Sequence, residues 1–139
     1  MNRFYSYTGY RRGDPMSRRY VLALDLKDDP RLIAEYEAHH SRVWPEILDS
    51  IRQSGILSMD IYRLGTRLTM IMDVADDFSF ERKAAADQAD PKVQEWESLM
   101  WRYQQAVPGG PPGAKWQLME RIFDFPGTHL PERDAAPPV

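Results

Sequence analysis

The chain has 139 residues, 18 Lys and Arg against 21 Asp and Glu, a formal net charge of -3, and no cysteine. That length suits one domain with a real core, the acidic balance gives no electrostatic footing for nucleic acid, and a disulfide framework, a zinc–cysteine site and a thiol nucleophile are excluded. With three histidines and no HExxH or EF-hand pattern, no metal is expected, and no apolar run approaches the roughly 18 residues of a membrane helix.

In chain order, residues 1–17 show neither helical nor strand period, and Gly13-Asp14-Pro15 is a turn signal that detaches them. They read as a poorly ordered extension without function, or as an upstream start before Met16. Their polar character lacks the apolar core of a secretory signal, so a cytoplasmic protein is expected. Arg19–Leu26 is rich in Val, Leu and Tyr and short enough for a buried strand. Asp28-Asp29-Pro30 opens a helix to about Ser41, with an acidic cap and an early proline. Pro45 disfavours helical geometry at Trp44, so the chain kinks or restarts there, and a second helix reaches Ser54 with Gly55 closing it.

Ile56–Leu64 and Arg67–Val74 read as strands joined at Gly65-Thr66, a glycine-first loop that fits a tight hairpin. Asp76 or Asp77 caps a third helix through about Asp87. Asp90-Pro91 starts a fourth, with Val93, Trp96, Met100, Tyr103 and Val107 on one stripe. The Pro/Gly run 108–113 is an exposed loop, and Trp116–Phe125 reads as the last strand, stopped by Pro126. The domain is thus placed at 18–126, with a loose tail at 127–139. The order of elements predicts an α+β fold of the ferredoxin-like, split βαββαβ kind: a four-stranded antiparallel sheet with helices on one face. Leu22, Leu24, Ile71 and Phe123 are expected on the uncovered face, which calls for a two-fold homodimer.

The most informative stretch is Glu35–Leu48, EYEAHHSRVWPEIL. Ile33, Tyr36, His40, Val43 and Ile47 recur at steps of three and four, the apolar stripe of an amphipathic helix. His40 is therefore expected inward beside Tyr36, while His39, rotated by about 100°, faces water. An inward imidazole next to a phenol is either a hydrogen-bonded core residue or a proton donor and acceptor in a pocket.

Glu35-Tyr36, His40, Trp44-Pro45-Glu46-Ile47, Ile61-Tyr62, Trp96 and Phe123-Asp124-Phe125-Pro126 together resemble the L-rhamnose mutarotase family, from about Arg18 to Pro126. The resemblance implies a dimeric α+β barrel of ferredoxin-like subunits that interconverts the α and β anomers of a 6-deoxy-L-sugar without a cofactor. It implies His40 as proton donor and Tyr36 as a binding residue. Two positions depart from the pattern: Met59 stands where the family's rhamnose enzymes carry a sugar-contacting tyrosine, and Trp96 is followed by Glu97 in place of a second tryptophan. Those departures leave L-fucose, slightly favoured, beside L-rhamnose as candidate substrates.

Such an isomerase needs a proton delivered to the ring oxygen and another removed from the anomeric hydroxyl. His40 is the expected acid/base, with Tyr36 as its orienting partner or a sugar contact. Trp96 either stacks on a pyranose or packs in the core. Asp60 and Glu97 bind sugar hydroxyls or are simply solvated, and Tyr62, which follows the family pattern, contacts sugar or packs. Trp44 and Pro45 set the kink that aims His40, and Trp101 and Trp116 belong to the core or a dimer interface. Two rival functions fit the same fold class: a cofactor-free or haem-linked oxygenase with His40 as base or ligand, and a non-enzymatic ligand-binding dimer.

Overall fold

Among the described residues, three of the four helices begin on proline. In the computed structural model, which describes residues 17–125, α1 (Pro30–His40), α2 (Pro45–Gln53) and α4 (Pro91–Trp101) each carry it in the first turn, where the missing N–H is not needed. Asp29 caps α1 by accepting from the Arg31 and Leu32 amides, and Asp90 caps α4 by accepting from those of Lys92 and Val93. The helix α3 (Phe80–Ala89) is capped by Ser79, not by Asp76 or Asp77. The Phe78 amide bonds back to the Ala75 carbonyl, so the two aspartates are used up in the turn that leaves the sheet.

The strands are β1 (Ser17–Leu26), β2 (Ile56–Leu64), β3 (Arg67–Ala75), β4 (Gln104–Gln105) and β5 (Gln117–Leu118). All pairings are antiparallel, and the order across the sheet is β2-β3-β1-β4, with β5 also on β1. That is the ferredoxin-like order. The hairpin β2–β3 turns at Gly65, whose φ is +59°, the left-handed value a glycine-first loop requires. The elements alternate as expected from the sequence except at the end. The fourth helix stops at Trp101, so Tyr103 and Val107 lie beyond it. The last strand is not the continuous run Trp116–Phe125. It is two short pieces on the same edge of β1, Gln104–Gln105 against Asp25–Leu26 and Gln117–Leu118 against Leu22–Ala23, with the Pro/Gly loop thrown out between them. The Met119 amide still bonds to the Val21 carbonyl at 2.7 Å, residues 120–125 form no strand, and Ile122, Phe123 and Phe125 stay exposed. The terminal stretches 1–16 and 126–139 lie outside the described residues.

Register decides what faces what, because residues directly opposite on paired strands share a face. Tyr20, Met72 and Met59 form one row, Leu22, Met70 and Ile61 the next, and Leu24, Leu68 and Arg63 a third. These rows meet the helices: Leu68 and Leu26 pack with Tyr36, Ile47, Val93, Trp96 and Met100 in one core cluster, and Leu22, Ile56 and Met72 with Phe78 in another. Leu22 and Leu24 are therefore buried under the helices, not on the open face where they were expected. The open face carries Val21, Ile71 and Asp60, then Ala23, Thr69 and Tyr62. It also carries two charge pairs, Arg19 with Asp73 and Arg67 with Asp25, in which the carboxylate is buried and the guanidinium half exposed. The misplacement has a simple cause: alternation fixes which residues share a face but not which face the helices take.

Candidate functional site

Helix α1 brings the key side chains to the sheet. Tyr36 is 3% exposed, and one turn later the His40 ring lies 4.4 Å from the Tyr36 ring, tilted by 43°. His40 Nδ1 is 2.9 Å from the main-chain carbonyl of Tyr36. A carbonyl can only accept, so Nδ1 carries a proton, and in the neutral ring the lone pair is left on Nε2. Burial holds the His40 pKa below the ordinary imidazole value, against the Tyr36 carbonyl, which favours the charged form; the neighbouring His39 adds to the lowering. The neutral base is thus the favoured state near pH 7.

Tyr36 itself is a poor acid. Burial raises its pKa, with a smaller opposing effect of its hydrogen bond from Gln104. Gln104 Nε2 donates to the Tyr36 hydroxyl at 3.2 Å, so the phenol keeps its own proton free to donate. Trp96, 9% exposed, closes the other side. Its ring meets that of His40 edge-on at 5.8 Å and that of Trp44 at 5.1 Å. Trp44 just before Pro45 therefore braces the tryptophan that braces His40.

These groups wall an open cavity of about 970 Å³ between the helices and the β2 edge of the sheet. All the residues singled out from the sequence line it: Tyr36, His40, Met59, Asp60, Tyr62, Trp96 and Glu97. They do not enter it alike. Met59 shares its row with Met72 on the helix side. Asp60 and Tyr62 belong to the rows of Ile71 and Thr69 on the open face, so they border the cavity around the sheet edge. Tyr62 is 56% exposed. The Glu97 carboxylate sits on the rim, 3.4 Å from Lys115 Nζ.

Two findings were not legible beforehand. His39 does not simply face water: it is half-buried, with Nε2 3.2 Å from the Tyr103 hydroxyl. The Tyr103 side chain, placed just past the end of α4, fills the space that helical spacing left to solvent. Gln104 was missed because it is a polar residue at the border of a stripe, Val93 through Val107, that reads as plain apolar packing, so nothing in the helical spacing singled it out. A polar pair, Gln104-Gln105, directly after an aromatic was the one available signal. Among the described residues, no group of three or more His, Asp or Glu could hold a metal ion.

Comparison with known proteins shows the family and the fold. The family model for L-rhamnose mutarotase matches residues 19–125. A protein of Xanthomonas campestris named L-fucose mutarotase is 50% identical over 108 residues, covering 76% of this chain and 86% of that protein. An L-rhamnose mutarotase of Acidiphilium cryptum is 26% identical over 112 residues, 76% of this chain and 97% of that one. Among solved structures, an L-rhamnose mutarotase from Formosa agariphila superposes with a TM-score of 0.57 at 18% identity, over 77% of this chain and 97% of the other. A tetracenomycin F2 cyclase from Streptomyces glaucescens has a TM-score of 0.50 at 15% identity, over 78% and 99%. At those identities the two structures establish the fold alone.

Proposed function

The chain belongs to the L-rhamnose mutarotase family, and from that premise we propose that it interconverts the α and β anomers of a 6-deoxy-L-hexose, with L-fucose preferred to L-rhamnose. The observation that carries the reaction type is the state of His40: Nδ1 tied to a carbonyl and a basic Nε2 in the cavity wall. The preference rests on the 50% identity to the protein named L-fucose mutarotase against 26% to one named L-rhamnose mutarotase, together with Met59 and Glu97.

In the proposed mechanism, His40 Nε2 takes the proton of the anomeric hydroxyl. The electron pair of the O–H bond becomes the second bond of the C1 carbonyl, the C1–O5 bond breaks, and its pair goes to O5. The imidazolium formed in the first half returns its proton to O5, giving the open aldehyde. Rotation about C1–C2 presents the other carbonyl face, and the same transfers in reverse close the ring. No net proton, electron or cofactor is consumed. General acid–base assistance of this kind contributes about 10²–10⁴-fold, sufficient for a reaction whose uncatalysed rate is already measurable. The Trp96 edge and Met59 bound the apolar side of the sugar, while Glu97 accepts from its hydroxyls at the rim.

We further read the working unit as a homodimer. The open sheet face offers Val21, Ile71 and Tyr62, and Ile122, Phe123 and Phe125 are 87%, 75% and 83% exposed beside it. No helix among the described residues is long and apolar enough to cross a membrane, in keeping with a cytoplasmic enzyme of sugar metabolism. Saturation-transfer NMR between the anomers of L-fucose and of L-rhamnose tests the proposal directly. Catalysed exchange, faster for L-fucose, is expected; no acceleration of either sugar would overturn the mutarotase reading.

A further inference from the structure

Gln104 is the one deeply buried polar side chain of the cavity wall whose role the proposed mechanism leaves open. Its main chain is held in the sheet opposite Leu26, and the residue is 6% exposed while lining the cavity. The side-chain amide offers one acceptor oxygen and a donor nitrogen. The nitrogen is committed to the Tyr36 hydroxyl at 3.2 Å, which fixes the amide plane and turns Oε1 the other way. That oxygen has no hydrogen-bond partner among the described residues. It is also not one of the sealed, unpaired atoms of the interior, so the space it meets is the cavity. A buried amide oxygen without a donor is costly, and native structures supply one. Water serves in the empty site and a ligand hydroxyl in the filled one.

The neighbouring group completes a pattern. Because the Tyr36 oxygen accepts from Gln104, its O–H is free to donate. The pair therefore presents a donor and an acceptor side by side, each fixed by the other. Adjacent hydroxyls of a pyranose, each able to donate and to accept, are the chemical complement of that arrangement. We propose that Tyr36 and Gln104 together read a vicinal diol of the sugar, and that Gln104 Oε1 is a specificity-determining contact. The proposal rests on the sugar-binding part of the reading above but not on the proton transfer.

The test is affinity, measured by calorimetric or ligand-observed NMR titration of the full chain with L-fucose and its 2-, 3- and 4-deoxy analogues. A site that leaves a buried acceptor unpaired loses about 10–100-fold in binding, so wild type is expected to discriminate by that much against at least one analogue. In Gln104→Met, which keeps the length without polar atoms, L-fucose should bind as weakly as that analogue, and the other discriminations should persist. Gln104→Glu should retain the discrimination against that analogue through the carboxylate oxygen still facing the cavity, while the discrimination at the hydroxyl served by Tyr36 is lost, because the Tyr36 proton is now given to the other carboxylate oxygen. If Gln104→Met does not fold, the Gln104→Glu measurement decides alone. Loss of the discrimination against that analogue in Gln104→Glu, its persistence in Gln104→Met, or an equal weakening of all four sugars would each overturn the assignment. Should wild type bind L-fucose without speeding anomeric exchange, the mutarotase reading fails while the Gln104 comparison stands on its own affinities.

Discussion

Replacing Tyr36 by Phe separates two roles that the sequence left joined. The histidine is oriented by the Tyr36 carbonyl, 2.9 Å from Nδ1, and by ring contact at 4.4 Å; neither involves the hydroxyl. Tyr36→Phe therefore keeps His40 in place and in the same tautomer. What it removes is the acceptor for Gln104 Nε2 and a donor facing the cavity. Leaving a buried amide N–H unpaired costs about 1–3 kcal/mol. In a domain of this size each kcal/mol lowers the melting temperature by roughly 3–5 °C. In exchange kinetics followed by saturation-transfer NMR, kcat should stay near the parent value while KM rises about tenfold, the loss of one hydrogen bond made equally in ground and transition states. A fall in kcat of about 100-fold or more at unchanged KM would refute this reasoning. It would make the phenol, not the imidazole alone, a proton-transfer group.

His40→Ala should cut catalysed exchange by about 10²–10⁴-fold with the far-UV spectrum and assembly intact; exchange at the parent rate would remove the assignment. With the neutral imidazole as base and its pKa lowered by burial, kcat/KM should be flat at neutral pH and above, falling only at a pH below the ordinary imidazole value of about 6.5. The same shift makes the unfolded state bind the proton first as pH falls, so stability should also decline through that window; a kinetic limb above the ordinary value contradicts the assigned state. Glu97→Gln and Met59→Tyr should each shift the L-fucose to L-rhamnose exchange ratio toward L-rhamnose, and a ratio moved by neither would take both residues out of the pocket. Light scattering should return a dimer, and a stable monomer near 16.2 kDa at micromolar concentration would rule it out.

Where local chemistry decides structure, the sequence could be read closely. Proline and an aspartate cap fix the starts of α1 and α4, and a glycine with positive φ fixes the β2–β3 turn. The helical stripe through Tyr36 and His40 needs nothing beyond its own spacing. Where tertiary context decides, the reading failed for physical reasons. Trp116–Phe125 has strand-like composition, yet only Gln117–Leu118 pair with β1, at Leu22–Ala23, followed by a single bond from the Met119 amide to the Val21 carbonyl before the chain leaves the sheet. Leu22 and Leu24 alternate correctly, yet alternation cannot say on which side the helices lie.

The error at the end of α4 has the largest functional consequence. Helical spacing carries Val93, Trp96 and Met100 into the core, and extending it by one more turn would bring Tyr103 onto the same side. Tyr103 is indeed buried, but from outside the helix, after the chain has turned into β4. That turn has two effects. It puts the Tyr103 hydroxyl against His39, covering a histidine that helical geometry alone would leave wet. It also sets Gln104 in the sheet opposite Leu26, buried in the cavity wall, where its side-chain amide reaches the hydroxyl of Tyr36. A tyrosine from α1 and a glutamine 68 positions later become one hydrogen-bonding unit because the helix ends at Trp101 and a two-residue strand follows. The acid–base group we propose for this site, His40, is thus written locally, in one turn of α1. The proposed means of distinguishing one sugar from another, the Tyr36–Gln104 pair, depends on where α4 stops being helical.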